Sequence, residues 1–329
     1  MTGNGNGKPP REWPWWLSSL NEAVGPIVAG RVIVIGARPS CGKSAFAQNL
    51  FWHLGRALAQ SSPADERPLL LSCWTERARP AALVSLASLI EGYDEDLALR
   101  GTWDRLPIGA EERLGERVRL LSVEPESDDG EFSAPYPILD MPQPTADEIG
   151  QALAQHRPHV FLLDYLQKIR PVGRQTTFDA WMTAMAHCAA YAAAGNTVIV
   201  TSQLKRKGDG VFDKYRPPFM EDFKGGGAIE EAANVALGLF RPLKPMTAKQ
   251  EREVRAGRVG LDDWQQPGVM AVKVLKHTFL GPAADRLVRV FIRPNRRITD
   301  SPSDDGQPEL APSWAGDSWL PEGSDRVPF

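Results

Sequence analysis

The apolar run Arg31-Val32-Ile33-Val34-Ile35 passes into Gly36-Ala37-Arg38-Pro39-Ser40-Cys41-Gly42-Lys43-Ser44 and then into Ala45-Phe46-Ala47-Gln48-Asn49-Leu50. This is strand, tight loop and helix, the setting in which a Gly-Lys-Ser loop cradles phosphates. A tight loop at a helix start turns successive backbone N–H groups toward one point, where the positive end of the helix dipole also lies. The cradle would run from Ala37 through Arg38, Pro39, Ser40, Cys41, Gly42, Lys43 and Ser44 to Ala45. Lys43 would reach the β- and γ-phosphates of ATP, and the Ser44 hydroxyl would hold Mg²⁺. The strict form of the motif has glycine where this chain has Ala37. The bland alternative is a Gly/Pro/Ser turn that happens to contain a lysine.

At 329 residues, 42% of them hydrophobic and 24% charged, the chain can bury one substantial core. A net charge of −3 gives no overall attraction to nucleic acid, so charge has to be judged by region. Cys41, Cys73 and Cys188 show neither paired nor metal-ligand spacing, which fits reduced thiols in a cytoplasmic protein. No apolar run is long enough to span a bilayer and no secretory signal opens the chain, so no membrane partner is expected.

Residues 1–11 are rich in Gly, Asn and Pro and are predicted to be disordered. The cluster Trp13, Trp15 and Trp16 then needs a partner surface: the core edge or a neighbouring subunit, or else stacked bases. Pro68 to Trp74 reads as a buried parallel strand with Glu76 just past its end, where a carboxylate is placed to activate water. Helices are predicted at 81–90, 111–119 and 145–156, the last with Thr145 as N-cap and Glu148 at the capping-box position. His159 to Leu163 runs straight into Asp164, a strand tip where a carboxylate can orient the Mg²⁺ water shell. A helix at about 178–194 precedes a strand over 197–201 that ends in Ser202-Gln203-Leu204.

Cations gather just after these last two strands. Lys168, Arg170 and Arg174 follow the first; Lys205, Arg206, Lys207, Arg216 and Lys224 follow the second. Such loops in an acidic chain can neutralise the phosphates of single-stranded DNA, with a solvated charge run as the alternative. Further strands are predicted at 235–240, 269–275 and 286–292, with a charged helical insertion at 247–256. Residues 300–329 have the composition of a disordered acidic tail, leaving 12–299 as one domain.

The wording Ala37-Arg38-Pro39-Ser40-x-Gly42-Lys43-Ser44-Ala45-Phe46-Ala47-x-Asn49 resembles the phosphate loop of DnaB-type replicative helicases, which often have alanine at that first position. Asp164-Tyr165-Leu166-Gln167, Ser202-Gln203-Leu204 and the stretch Glu221 to Asn234 resemble later elements of the same family, over about Leu17 to Thr299. The resemblance implies an α/β RecA-like P-loop NTPase, with a mostly parallel twisted sheet and helices on both faces. It also implies that Gln203 senses the γ-phosphate and signals to a DNA-binding loop, and that Lys276 contacts nucleotide across a subunit boundary. The family's bridging arginine is replaced by Thr278, with Arg286, Arg289, Arg293, Arg296 and Arg297 nearby as substitutes. The room before Leu17 is too short for the family's N-terminal helical domain.

Two functions follow. One is an ATP-dependent DNA translocase or helicase, a homo-oligomer with a hexamer favoured; Lys43, Glu76 and Gln203 serve catalysis, and Ser44 and Asp164 the Mg²⁺. The other is a DNA-responsive ATPase switch or scaffold in mobile-element replication, recombination or defence, without processive unwinding. A replication or recombination protein is a candidate partner for the C-terminal tail.

Overall fold

The computed structural model describes residues 11–61, 70–75, 79–115, 138–139, 141–205, 216–241, 268–278, 286–293 and 295–301. Eleven strands are present among them. β1 (Glu12–Trp13) and β2 (Ile27–Val28) form a small antiparallel pair. The rest make one nine-stranded sheet: β3 (Val32–Ala37), β4 (Leu70–Trp74), β5 (Ile138–Leu139), β6 (Val160–Asp164), β7 (Thr197–Gln203), β8 (Val235–Phe240), β9 (Val269–His277), β10 (Leu287–Ile292) and β11 (Ile298–Thr299). Their spatial order is β11-β10-β9-β8-β3-β7-β6-β4-β5. From β8 to β5 neighbours are parallel, and from β8 to β11 they are antiparallel.

Parallel strands need crossover helices, and these cover both faces. α1 (Ser18–Val24), α2 (Lys43–Ser61), α3 (Arg79–Glu91) and α4 (Glu95–Leu99) precede α5 (Ala146–His156), α6 (Thr177–Ala193) and α7 (Gly226–Ala232). Alternation along β3 sorts its side chains: Ile33 and Ile35 pack with Phe46, Leu50 and Leu54 of α2, while Val32 and Val34 join Ile149 of α5 and Met185 of α6 in a second core. β3 runs between β7 and β8, whereas the chain continues from it to β4, three places away. Ligands bind at such switch points, outside the carboxyl ends of the strands.

Local sequence explains the helix starts. Thr145 caps α5 as a capping box: its hydroxyl accepts from the Glu148 N–H at 3.1 Å, and the Glu148 carboxylate accepts from the Thr145 N–H at 2.6 Å. Thr176 and Asp179 form a second box at α6. The tryptophan cluster packs inward, with Trp13 and Trp15 buried and Trp16 edge-on to Phe46 at 5.1 Å. The Trp16 indole N–H donates to the Ile298 carbonyl at 2.8 Å, tying the amino-terminal segment to the last strand.

Both predicted domain limits move outward. Arg11, assigned by composition to the disordered terminus, accepts a backbone bond from Ala29 at 2.8 Å. Asp300, assigned to the tail, accepts from the Ser18 N–H and hydroxyl at 2.7 Å and from the Ser19 hydroxyl, capping α1 from a distance. The helical insertion predicted at 247–256 lies outside the described residues. Among the described residues, no helix is long and apolar enough to cross a membrane.

Candidate nucleotide site

The carboxyl ends of β3, β4, β6 and β7 share one edge, and register decides which residues meet there. Ala37 pairs with Gln203 in the sheet, and Trp74 pairs with Asp164. The departure at Ala37 has a simple account: it is the last residue of β3, buried and extended, while the left-handed positions of the loop are Ser40 (φ 61°) and Gly42 (φ 86°). Alanine is therefore tolerated where the strict motif has glycine. Gly36 is needed for a different reason, since a Cβ there would lie 2.4 Å from the Phe223 ring.

α2 starts at Lys43 with no acidic residue in its first turn, so no carboxylate of that turn competes for its amino-terminal N–H groups. The Lys43 ammonium lies 3.6 Å from Asp164 Oδ1 and 3.8 Å from the centre of the Tyr165 ring, with its side chain largely shielded from water. Asp164 Oδ1 also accepts from the Thr201 hydroxyl on β7. The Thr75 hydroxyl accepts from the Tyr165 N–H at 2.9 Å, fixing the backbone that follows Asp164. Anion-seeking groups (Lys43 and the first-turn amides) thus stand beside hard oxygen donors (Asp164 and the Ser44 hydroxyl). This donor set fits a nucleotide phosphate with a divalent cation.

Gln203 sits in a closed network. Its carboxamide oxygen accepts from Lys224 Nζ at 2.9 Å, and its N–H donates to Gln167 Oε1 at 2.8 Å. Gln167 Nε2 donates to the Ser202 hydroxyl and to the Lys224 carbonyl, both at 2.8 Å. The ends of β6 and β7 and the segment entering α7 are thereby locked together.

Two arginines lie elsewhere than the sequence reading put them. Arg38, expected to cradle nucleotide, is 2% exposed, and its guanidinium bonds Asp222 Oδ2 at 3.3 Å and the Arg216 carbonyl at 2.9 Å. Arg216, expected to bind DNA, turns its guanidinium onto the same Asp222 oxygen at 2.8 Å. The cause is Asp222, a fully buried carboxylate that has to be compensated by opposite charge.

The other candidates divide clearly. Lys168 lies 6.0 Å from the Tyr165 ring centre, Arg170 reaches Glu148 at 3.7 Å, Arg174 is exposed, and Lys205 Nζ donates to the Glu221 carbonyl at 3.2 Å. Glu76, Arg206 and Lys207 lie outside the described residues. Lys276 Nζ donates to the Glu230 carbonyl within its own chain. Thr278 uses both its N–H (2.9 Å) and its hydroxyl (3.1 Å) on the Asn234 carbonyl, so it holds β9 to the start of β8. Of the nearby arginines, Arg286 donates to Glu22 and Ala23, Arg293 to Ser301, Arg296 to Glu95, and Arg297 to Leu89 and Ile90. Arg289 stacks over Phe291, 5.6 Å from the ring centre.

Sequence reasoning missed Tyr165, Gln167, Thr201 and Asp222. Gln167 carried a signal, standing three residues after Asp164; nothing local links Asp222 to Arg38, 184 positions away. The cysteines give an expected result of their own. All three are buried, and burial pushes the Cys188 thiol up to about 12. A thiol-reactive disulfide reagent should modify none of them on mixing with folded protein and all three in denaturant. Rapid labelling of one thiol in the native state would contradict this packing.

No protein-family model matches the chain, and no curated protein matches it in sequence. Solved structures do. The ATPase domain of one DnaB-like helicase superposes with a TM-score of 0.64 at 16% identity, covering 90% of this chain and 93% of that one. Another DnaB-like replicative helicase, described with its interactions with primase, gives 0.60 at 16% identity over 89% of this chain; the chain covers 63% of that helicase's length. A KaiC-like protein from the hyperthermophilic archaeon Pyrococcus horikoshii OT3 gives 0.52 at 13% identity and is covered in full. The fold is therefore that of the RecA-like P-loop NTPases, as in the ATPase domains of DnaB-like helicases. With 572 solved chains sharing it, the fold does not choose among their activities.

Proposed function

We propose that this protein is a DnaB-like ATPase that hydrolyses ATP as a homo-oligomer, a hexamer favoured, and acts on single-stranded DNA. The reading rests above all on the Gln203–Lys224 hydrogen bond of 2.9 Å, on a strand whose end pairs with the first residue of the phosphate loop. Lys43 and the first-turn amides of α2 would hold the phosphates, and Ser44 with Asp164 would hold Mg²⁺, which supplies charge neutralisation at the transferring phosphoryl group. Thr201 and Lys43 keep Asp164 oriented, and Glu76 is the proposed water-activating carboxylate. Gln203 exchanges its bond to Lys224 for one toward the nucleotide, so occupancy is felt at the cations beyond β7. The same reading places the protein in the cytoplasm and makes the acidic tail a docking segment for a replication or recombination protein.

One observation favours the second reading, a DNA-responsive switch without processive unwinding. Thr278 is committed to Asn234, and Arg286, Arg293, Arg296 and Arg297 are all engaged within their own subunit. A bridging cation adds orders of magnitude to turnover by neutralising charge in the transition state. Without one, turnover should be slow in the isolated protein and rise only as subunits assemble on DNA. Turnover per subunit, measured over a wide protein concentration with and without single-stranded DNA, tests this. Fast turnover from a protein that sediments as a monomer, independent of concentration and DNA, would overturn the oligomeric reading.

A further inference from the structure

Two exposed apolar side chains stand among the cations beyond β6. Val172 is 48% exposed and Phe178 46% exposed, at the turn that leads into α6 and in its first helical turn. A bare phenyl ring on a surface of this charge has no role in the core. It is also held in place: Thr176 and Asp179 form the capping box that starts α6, with the Asp179 carboxylate accepting from the Thr176 N–H at 2.9 Å and hydroxyl at 2.7 Å. That box fixes the helical turn carrying Phe178, and it also turns the neighbouring negative charge into the cap. One helical turn on, Trp181 lies against Gly225, where an added Cβ would meet the indole at 3.0 Å. Gly225 follows Lys224, the residue that grips Gln203. The same glycine run brings Gly227 to 4.0 Å, measured from an ideal Cβ, of the Phe178 ring.

We propose that Phe178 is a stacking platform for the unpaired bases of a single strand whose phosphates are held by the surrounding cations. The inference rests on the DNA-binding reading above and deepens it by giving the bases a site as well as the phosphates. Charge complementarity selects the occupant. Arg174 precedes Phe178 by four residues, and Lys224 lies across the Trp181–Gly225 contact, so a polyanion that also offers flat apolar faces matches the patch. Single-stranded nucleic acid is such a ligand. Stacking tolerates any base because every base has a π-face, so the site would confer affinity without sequence preference.

The test uses the full chain, Phe178→Ala and Phe178→Trp, with two probes of equal length: oligo-dT and an abasic oligodeoxynucleotide. Phe178→Ala should weaken oligo-dT binding on the order of tenfold. It should leave abasic binding, the salt slope and DNA-free ATP turnover unchanged, and Phe178→Trp should restore the lost affinity. A 2-aminopurine base within the dT strand should be quenched by the wild type and by Phe178→Trp but not by Phe178→Ala. Equal loss on both probes, or no loss on either, overturns the stacking role while leaving the DNA-binding reading intact. Wild-type protein that binds neither probe overturns both. A Phe178→Ala protein that binds DNA normally but sediments as a smaller species would assign the ring to contacts between copies of this chain, and that too overturns the proposal.

Discussion

Lys43→Ala is expected to remove ATP turnover and most nucleotide affinity, whereas Glu76→Gln should keep ATP bound and turn it over slowly. The two side chains act at different stages. Lys43 stands at the start of α2 beside the oxygen donors of Asp164, so its charge is available to bound phosphate before any reaction. Deleting one preorganised charge donor costs about 10²–10³ in rate where it acts only in the transition state. Here ground-state binding falls as well, which moves both kcat and KM. A glutamine at position 76 is still polar and nearly isosteric but cannot accept a proton, so only the water-activating step is lost. Affinity for a fluorescent ATP analogue and steady-state turnover separate the two effects. Because Lys43→Ala also strips the largely buried Asp164 of its cationic neighbour, thermal unfolding should be recorded beside binding. Wild-type nucleotide affinity in Lys43→Ala would place phosphate elsewhere, and equal affinity losses in both variants would remove Glu76 from the reaction.

What could be read from the sequence was whatever is written locally. The strands at β3, β6 and β8, the capping box at Thr145 and the phosphate loop are each specified by residues within a few positions of one another. Asp164 was legible because an apolar run ending in a carboxylate is a strand tip wherever it packs. The sheet's far side was legible as strands, but their antiparallel order depends on contacts such as Thr278 with Asn234, 44 positions apart. The assignments of Arg38 and Arg216 failed for a related reason. An arginine in a phosphate loop or a basic run looks like a ligand-facing cation until a distant buried carboxylate is known to claim it. Gln203 shows the intermediate case: its place at a strand end could be inferred, whereas its bond to Lys224 required the chain to fold back through the segment before α7.

Asp222→Ala is expected to be the most damaging substitution away from the nucleotide, costing about 3–5 kcal/mol of stability, the range for breaking a buried ion pair from one side. The carboxylate is fully buried, and its Oδ2 receives both guanidinium groups and the Phe219 N–H at 3.0 Å. Removing it leaves Arg38 with a buried positive charge facing Arg216, a like charge that the aspartate had compensated. Asp222→Asn keeps an acceptor but not the charge, so it should fall between wild type and alanine. Replacing the set together, with Arg38→Met, Arg216→Met and Asp222→Leu, should recover most of the loss, since apolar side chains of similar volume avoid the desolvation cost altogether. Urea unfolding of the four proteins distinguishes these cases by midpoint, provided the slopes agree. The recovered protein carries a further consequence. Arg38 belongs to the phosphate loop, and Arg216 stands where the described chain resumes after the basic stretch, so the aspartate ties one to the other. If that tie transmits nucleotide occupancy, the triple variant should fold stably and hydrolyse ATP, yet lose the stimulation of turnover by single-stranded DNA. A triple variant that is both stable and fully stimulated would reduce the Arg38–Asp222–Arg216 cluster to a structural staple.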